Sequence, residues 1–185
     1  MGRVIYALNV SLDGFVETPE HSLDWTAVDE ELHTWFNDRA RELDAALYGR
    51  RLYELMADAW PQVAADASAP PHMQEFGRIW LDTPRYVFSS TLERAEHGTV
   101  VRGGVREELA RIRKRHSGDM EVAGATLAAS FIREGLVDEF QLVIHPVAIG
   151  GGTPYWPPLE RALSLRLVDS HAFTSGVQML AYRPA

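Results

Sequence analysis

The chain has 185 residues, 46% hydrophobic and 24% charged, with 18 Lys+Arg against 26 Asp+Glu for a formal charge of -8 and no cysteine. That length fits one domain over residues 1–185 and buries a core without covalent staples, while absent cysteine removes disulfides, thiolate metal sites and cysteine nucleophiles. The net negative field opposes phosphate backbones, and no apolar run approaches the ~20 residues of a membrane span, so neither nucleic acid nor membrane is an expected partner.

Met1-Gly2-Arg3-Val4-Ile5-Tyr6 carries neither a signal-like apolar stretch nor the hydroxyl residue that myristoylation needs, and a cytoplasmic protein is expected. Val4 to Val10 is β-branched and apolar, a predicted strand that stops at the turn Ser11-Leu12-Asp13-Gly14. From Asp29, Leu32, Trp35, Phe36, Ala40 and Leu43 recur at helical spacing. Ala45 to Tyr48 predicts a short strand ending at Gly49, followed by a helix from Arg50 to about Ala57. The Ala/Pro-rich stretch 64–71 reads as a loop, and Met73, Phe76 and Trp80 predict a short helix after it.

Arg85 to Ser89 and Thr99 to Val101 read as strands, with Leu109 and Ile112 on a charged helix beyond Gly103-Gly104. Met120 to Ala123 predicts a strand, and Ala125, Ala128, Ala129 and Ile132 mark the buried face of the next helix. Phe140, Leu142 and Ile144 then alternate, as do Leu163, Leu165 and Leu167, and Val177, Met179 and Ala181; the last two runs join at Ser175-Gly176 as a hairpin. Crossover helices imply parallel pairing first and antiparallel pairing last, in a mixed sheet with helices on both faces.

Two strand-to-helix corners carry the chemistry. Leu47-Tyr48-Gly49-Arg50-Arg51-Leu52-Tyr53-Glu54 places unpaired amides and two arginines in one helix start, where the peptide dipole already disfavours cations by up to about 1 kcal/mol each. A phosphate-bearing ligand reverses that penalty; the alternative is that the guanidiniums pair with Glu54 and neighbouring acids. Glu121-Val122-Ala123-Gly124-Ala125-Thr126-Leu127 offers close backbone approach at a second corner, or simple helix–sheet packing. Ser89, Ser90 and Arg102 follow predicted strands, where they suit a further phosphate or a plain turn. Arg111, Arg113, Lys114, Arg115 and His116 fall at a helix end and read as a solvated face. Gly150-Gly151-Gly152 lacks the Lys-Ser/Thr of a P-loop and reads as a flexible turn, His145 reads as a core or edge residue, and Asp138-Glu139 as a turn.

In sequence order, Ser11-Leu12-Asp13-Gly14-Phe15, Gly49-Arg50-Arg51-Leu52-Tyr53-Glu54, Val87-Phe88-Ser89-Ser90, Ala123-Gly124-Ala125, Gly135-Leu136-Val137-Asp138-Glu139 and Pro146-Val147-Ala148-Ile149-Gly150-Gly151-Gly152 resemble the dihydrofolate reductase-like superfamily. The branch most similar is the reductase domain of bacterial riboflavin biosynthesis and its stand-alone relatives. The resemblance implies a three-layer α/β/α fold on a mixed, mainly parallel sheet with a C-terminal antiparallel hairpin, a homodimer, and NADPH as hydride donor to a small pteridine- or pyrimidine-like molecule. Carried over by position, Gly49, Arg50 and Arg51 would meet the cofactor phosphates, and Ser89, Ser90 and Arg102 the adenosine 2′-phosphate. Val122, Ala123, Gly124, Ala125, Thr126 and Leu127 would line the pyrophosphate and nicotinamide. Ala7 would contact the nicotinamide amide, and Leu12, Asp13 and Gly14 would form a loop over the ring.

The sequence departs from the family pattern at Leu52, where Thr is usual, at Ala123 in the glycine pair, at Val122 where the riboflavin reductases carry Glu, and at Phe15 after Asp-Gly. These departures bear on the substrate more than on the fold, and they keep a non-catalytic nucleotide-binding module open as the alternative. Trp25, Trp35 and Phe36 suit a planar heterocycle or plain packing. Asp13 and Glu30, the latter beside Asp29 and Glu31 at a helix start, are the candidate proton donors.

Overall fold

The computed structural model describes residues 2–185. In chain order the elements are β1 (Val4–Ser11), β2 (Phe15–Glu17), α1 (Glu30–Arg41), β3 (Ala45–Gly49), α2 (Arg50–Ala65), α3 (Pro71–Asp82), β4 (Arg85–Phe88), β5 (Thr99–Val101), α4 (Val105–Ile112), β6 (Met120–Ala123), α5 (Ala125–Arg133), β7 (Glu139–His145), β8 (Thr153–Pro154), β9 (Leu165–Ala172) and β10 (Gln178–Pro184). Eight strands form one sheet in the order β5-β4-β3-β6-β1-β7-β10-β9. From β5 to β7 every pairing is parallel; β10 runs antiparallel to both β7 and β9. The expected mixed sheet, its helices and the C-terminal hairpin about Gly176 (φ +88°) are all present.

Strand alternation distributes the core. Val4 and Tyr6 on β1, Ala45 and Leu47 on β3, and Met120 and Val122 on β6 pack with Leu109 of α4 and Phe131 of α5. The intervening Ala46, Tyr48 and Ala123 face the opposite way, toward Tyr53 of α2 and Trp80 of α3. Leu32 of α1 covers Val143, Met179 and Ala181 of the C-terminal strands. Parallel strands buried on both faces need this continuous apolar content, so strict polar alternation is absent from β1 and β3.

Several boundaries differ from the sequence reading. Helix α2 runs through Pro61 to Ala65 instead of ending near Ala57. Its second half is held by α3: Gly77 passes so close that an added Cβ would lie 2.8 Å from the Trp60 carbonyl oxygen and 2.9 Å from the Ala64 Cβ. The loop at 64–71 is correspondingly shorter, because Pro71 already opens α3. Strand β9 starts at Leu165 and continues to Ala172, so Leu163 precedes it. Strands β2 and β8, which pair antiparallel in a separate small sheet, have no counterpart in the periodicity. They form because Gly152 (φ +133°) brings its backbone against Glu17, where any Cβ would sit 1.8 Å from the Glu17 oxygen.

Candidate active site

The carboxyl ends of β5, β4, β3, β6 and β1 lie side by side along one sheet edge, and three helices start from it. Each of the three has a glycine N-cap and no side-chain capping hydrogen bond: Gly49 for α2, Gly104 for α4 and Gly124 for α5. Gly124 holds φ +102°, a backbone that favours glycine. The corners at Gly49 and Gly124 interlock, since a Cβ on Gly49 would lie 3.4 Å from the Leu127 Cβ and one on Gly124 would lie 3.5 Å from the Leu52 Cβ. Uncapped helix amides together with their dipoles form a positive rim suited to oxyanions.

Behind this rim, between the sheet and helices α1, α2 and α3, lies a cavity of about 700 Å³. Its floor is Ala7, Asn9, Ala46, Tyr48, Glu121 and Ala123, and its walls are largely Phe36, Leu55, Met56, Trp60, Phe76 and Trp80. Gly124 and Ala125 of the second corner reach the same space, so rim and cavity are continuous. The volume falls within the range of small-molecule sites, and the apolar walls with few polar groups match their usual character.

The expected cofactor residues distribute unevenly over this geometry. Ala7, Ala123, Gly124 and Ala125 line the cavity, Gly49 and Leu127 form the interlocked corners, and Thr126 is exposed on α5. Val122 is fully buried on the opposite face of the sheet, because it alternates with Glu121 and Ala123; its side chain belongs to the α4–α5 core. Arg50 donates to Glu54 at 2.7 Å and to Thr91 at 2.8 Å, the pairing that the sequence left open. Arg51 lines the cavity mouth and donates from one nitrogen to both oxygens of the buried Glu17 at 2.5 and 2.6 Å. Arg102 donates to the backbone oxygens of Ser89, Ser90 and Leu92, closing the turn after β4, and Ser89 Oγ accepts the Leu92 amide.

Neither expected proton donor lines the cavity. Asp13 accepts from the Ser11 hydroxyl at 2.6 Å and from the Ile149 and Gly150 amides, which holds its carboxyl below the ordinary range. The glycine run is therefore not a free turn: it anchors the loop of Leu12, Asp13 and Gly14, and the Leu12 amide also donates to the Val147 oxygen. Leu12 itself is 69% exposed. Glu30 is exposed in the first turn of α1, where Asp29 supplies the cap by accepting from the Leu32 amide.

Of the aromatic candidates, Trp35 and Phe36 line the cavity, whereas Trp25 packs edge-on against His145 at 5.5 Å. His145 is buried; its Nδ1 accepts the Ala27 amide, so its Nε2 donates to the Asn9 oxygen at 2.9 Å, and burial lowers its pKa. It ties the segment ahead of α1 to the sheet. His33 and His72 approach to 4.9 Å between ring centres at the cavity wall, and burial, then the neighbouring ring, lowers the His33 pKa.

Glu121 escaped the sequence reading. It stands on the cavity floor and is pushed up to about 7 by burial, with Arg39 opposing the shift. The available signal was its alternation with Met120 and Val122, which assigns it to the other face of β6.

The RibD C-terminal domain model matches residues 3–179. A Bacillus subtilis (strain 168) protein described as uncharacterized, YyaP, is 32% identical over 182 residues, covering 97% of this chain and 94% of its own. Among solved structures, a putative riboflavin biosynthesis protein from Shewanella sp. PV-4 superposes with a TM-score of 0.79 at 20% identity, over 99% of each chain. The Thermotoga maritima diaminohydroxyphosphoribosylaminopyrimidine deaminase/5-amino-6-(5-phosphoribosylamino)uracil reductase matches with a TM-score of 0.70 at 13% identity, over 100% of this chain and 57% of the longer protein.

Proposed function

The chain belongs to the RibD C-terminal domain family, and from that premise we propose that it is an NADPH-dependent reductase of a small heterocyclic, pteridine- or pyrimidine-like molecule. The observation that carries this reading is the continuity of the uncapped helix starts at Gly49 and Gly124 with the cavity floor at Ala7 and Ala123. The rim suits the phosphates of a dinucleotide, and the small floor residues leave room for a flat ring. When bound, NADPH supplies the hydride.

The chain's own residues bind, orient and exclude water. Amides of the first turns of α2 and α5 would hold the pyrophosphate, with Arg50 and Arg51 beside them and Arg102 and Ser89 farther along the edge. Ala7 and Ala123 would set the depth of the nicotinamide. Leu23, Thr26 and Val28, on the segment between β2 and α1, line the cavity and would shield it from solvent, as closed sites require.

Titration of the protein with NADPH, followed by nicotinamide fluorescence, tests the reading. Saturable binding is expected, weakened roughly 10- to 150-fold in Arg50→Ala by loss of a charge-assisted contact of about 1.5–3 kcal/mol. Absence of binding at millimolar NADPH refutes it. The engagement of Arg51 by Glu17 favours a second reading, a nucleotide-binding module without turnover, which predicts binding but no loss of 340-nm absorbance with any heterocycle offered.

A further inference from the structure

Two carboxyls line the cavity; Glu17 is paired with Arg51, and Glu121 has no such partner. Glu121 on β6 sits in register between Ala46 of β3 and Ile5 of β1, so its lateral neighbours are apolar. It has no hydrogen bond or ion pair among the described residues, and its side chain points into a space of about 700 Å³. Glu121 is partly exposed to that space, so a ligand that displaces its water meets a carboxyl with no protein partner.

The groups that face it do not satisfy it. Arg39 of α1 acts on it from a distance, with its guanidinium over the Trp35 ring at 5.1 Å. Tyr48 of β3 accepts from the Trp80 indole at 3.1 Å, and burial keeps that phenol protonated. Arg85 of β4 also lines the cavity; its Nε and Nη2 donate to the His97 and Leu81 oxygens and it stacks on Trp80, while its buried Nη1 has no partner. On the helices, His33 and His72 face each other, and Arg51 of α2 is paired with Glu17 at the mouth. The phenol of Tyr155, within reach of its field, donates to the Tyr6 and Gln141 oxygens.

We propose that Glu121 is the substrate-recognition group of this cavity, and that it selects a neutral, unphosphorylated aromatic nitrogen heterocycle: the carboxyl O–H donates to a ring nitrogen and the carboxyl oxygen accepts from an adjacent exocyclic amine. The choice of ligand follows from the walls. A phosphate dianion beside an unpartnered carboxyl would be repelled, Arg51 is paired with Glu17, and the Arg39 guanidinium lies over the Trp35 ring. Trp60, Phe76 and Trp80 supply flat apolar surface for a bicyclic ring. This class differs from the phosphoribosyl compound in the name of the Thermotoga maritima relative.

Only the subsequent chemistry rests on the reductase reading. A C=N bond that takes a hydride from NADPH at carbon must take a proton at nitrogen, as its π pair becomes the N–H bond. Glu121 holds that proton at the ring nitrogen, is left as carboxylate, and is reprotonated from solvent.

Binding of 2-aminobenzothiazole, a weakly basic bicycle with this donor–acceptor edge, is followed by quenching of tryptophan fluorescence without any nicotinamide. With the carboxyl titrating at about 7, the protonated fraction falls about 30-fold between about pH 6 and about pH 8.5, and affinity falls with it. Glu121→Gln, which keeps one donor and one acceptor at the same place, is expected to bind with no pH dependence. Glu121→Leu, checked for folding by circular dichroism, is expected to bind at least about tenfold more weakly at pH 6. Ribose 5-phosphate is expected not to displace the bicycle. Equal wild-type affinity at both pH values, a pH-dependent Gln variant, wild-type affinity in a folded Leu variant, or displacement of the bicycle by ribose 5-phosphate would each overturn the proposal. Because NADPH is absent throughout, these outcomes are independent of whether the reductase reading survives.

Discussion

The pairing of Glu17 with Arg51 makes a quantitative prediction through a double-mutant cycle of Glu17→Gln and Arg51→Ala. The Glu17 side chain is 9% exposed and that of Arg51 is 59% exposed, so the pair is half-solvated. A charge-assisted hydrogen bond contributes roughly 1.5–3 kcal/mol when shielded, while exposed pairs contribute about 0–1 kcal/mol. A coupling of about 1–2 kcal/mol is therefore expected at neutral pH, read from urea denaturation of the four proteins. Burial by itself raises the Glu17 pKa; hydrogen bonds from Arg51, Thr153 and His21 overcome it and hold the carboxyl below its ordinary value. A depressed carboxylate contributes stability above its unfolded pKa, near 4.3, and loses it as pH falls through the folded value. The coupling should shrink accordingly in acid. A coupling below about 0.3 kcal/mol at pH 7, or one that persists unchanged through acid titration, would refute the pairing. If Arg51 also serves the dinucleotide, Glu17→Gln frees it and NADPH binds more tightly, whereas Arg51→Ala weakens binding.

Two further outcomes bear on the fold around the site. Gly152→Ala places a Cβ 1.8 Å from a backbone oxygen at φ +133°, a clash that no side chain can relieve. A loss of about 3 kcal/mol or more is expected, seen as a fall in Tm of roughly 6–12 °C by circular dichroism; an unchanged Tm contradicts the close approach of β2 and β8. Glu139, whose side chain is 5% exposed, accepts from Arg3, Arg183 and Gln141, and these contacts together overcome burial to lower its pKa. Wild-type stability in urea should fall between about pH 5 and pH 3 as that carboxylate protonates, and Glu139→Gln should start lower at neutral pH and flatten that slope. Identical pH profiles would remove Glu139 from the acid response.

Much of the architecture was legible because local physics wrote it. β-Branched runs such as Val4 to Val10 adopt the extended backbone, glycines at 14 and 176 take the positive φ that turns require, and Leu32 with Trp35 and Phe36 repeats at the helical period. The corners at Gly49 and Gly124 were visible for the same reason, since a strand, a glycine and a helix start are contiguous in the chain. The Arg50–Glu54 pair, one helical turn apart, was open to inspection as well.

What remained hidden depends on residues distant in the chain. Asp13 is held by the Ile149 and Gly150 amides, 136 and 137 positions away, contacts that no local pattern displays. That Arg51 also meets Glu17 of β2, 34 positions away, is set only by the fold. Glu121 and Val122 differ by one position, yet one faces the cavity and the other the α4–α5 core, because adjacent strand residues project to opposite sides. Periodicity and dihedral preference act over a few residues and were fixed by the sequence alone. Which carboxyl is satisfied, and which is left facing an apolar cavity, is decided only when strands pair and helices cover them, since hydrogen bonding and desolvation depend on neighbours that folding brings together.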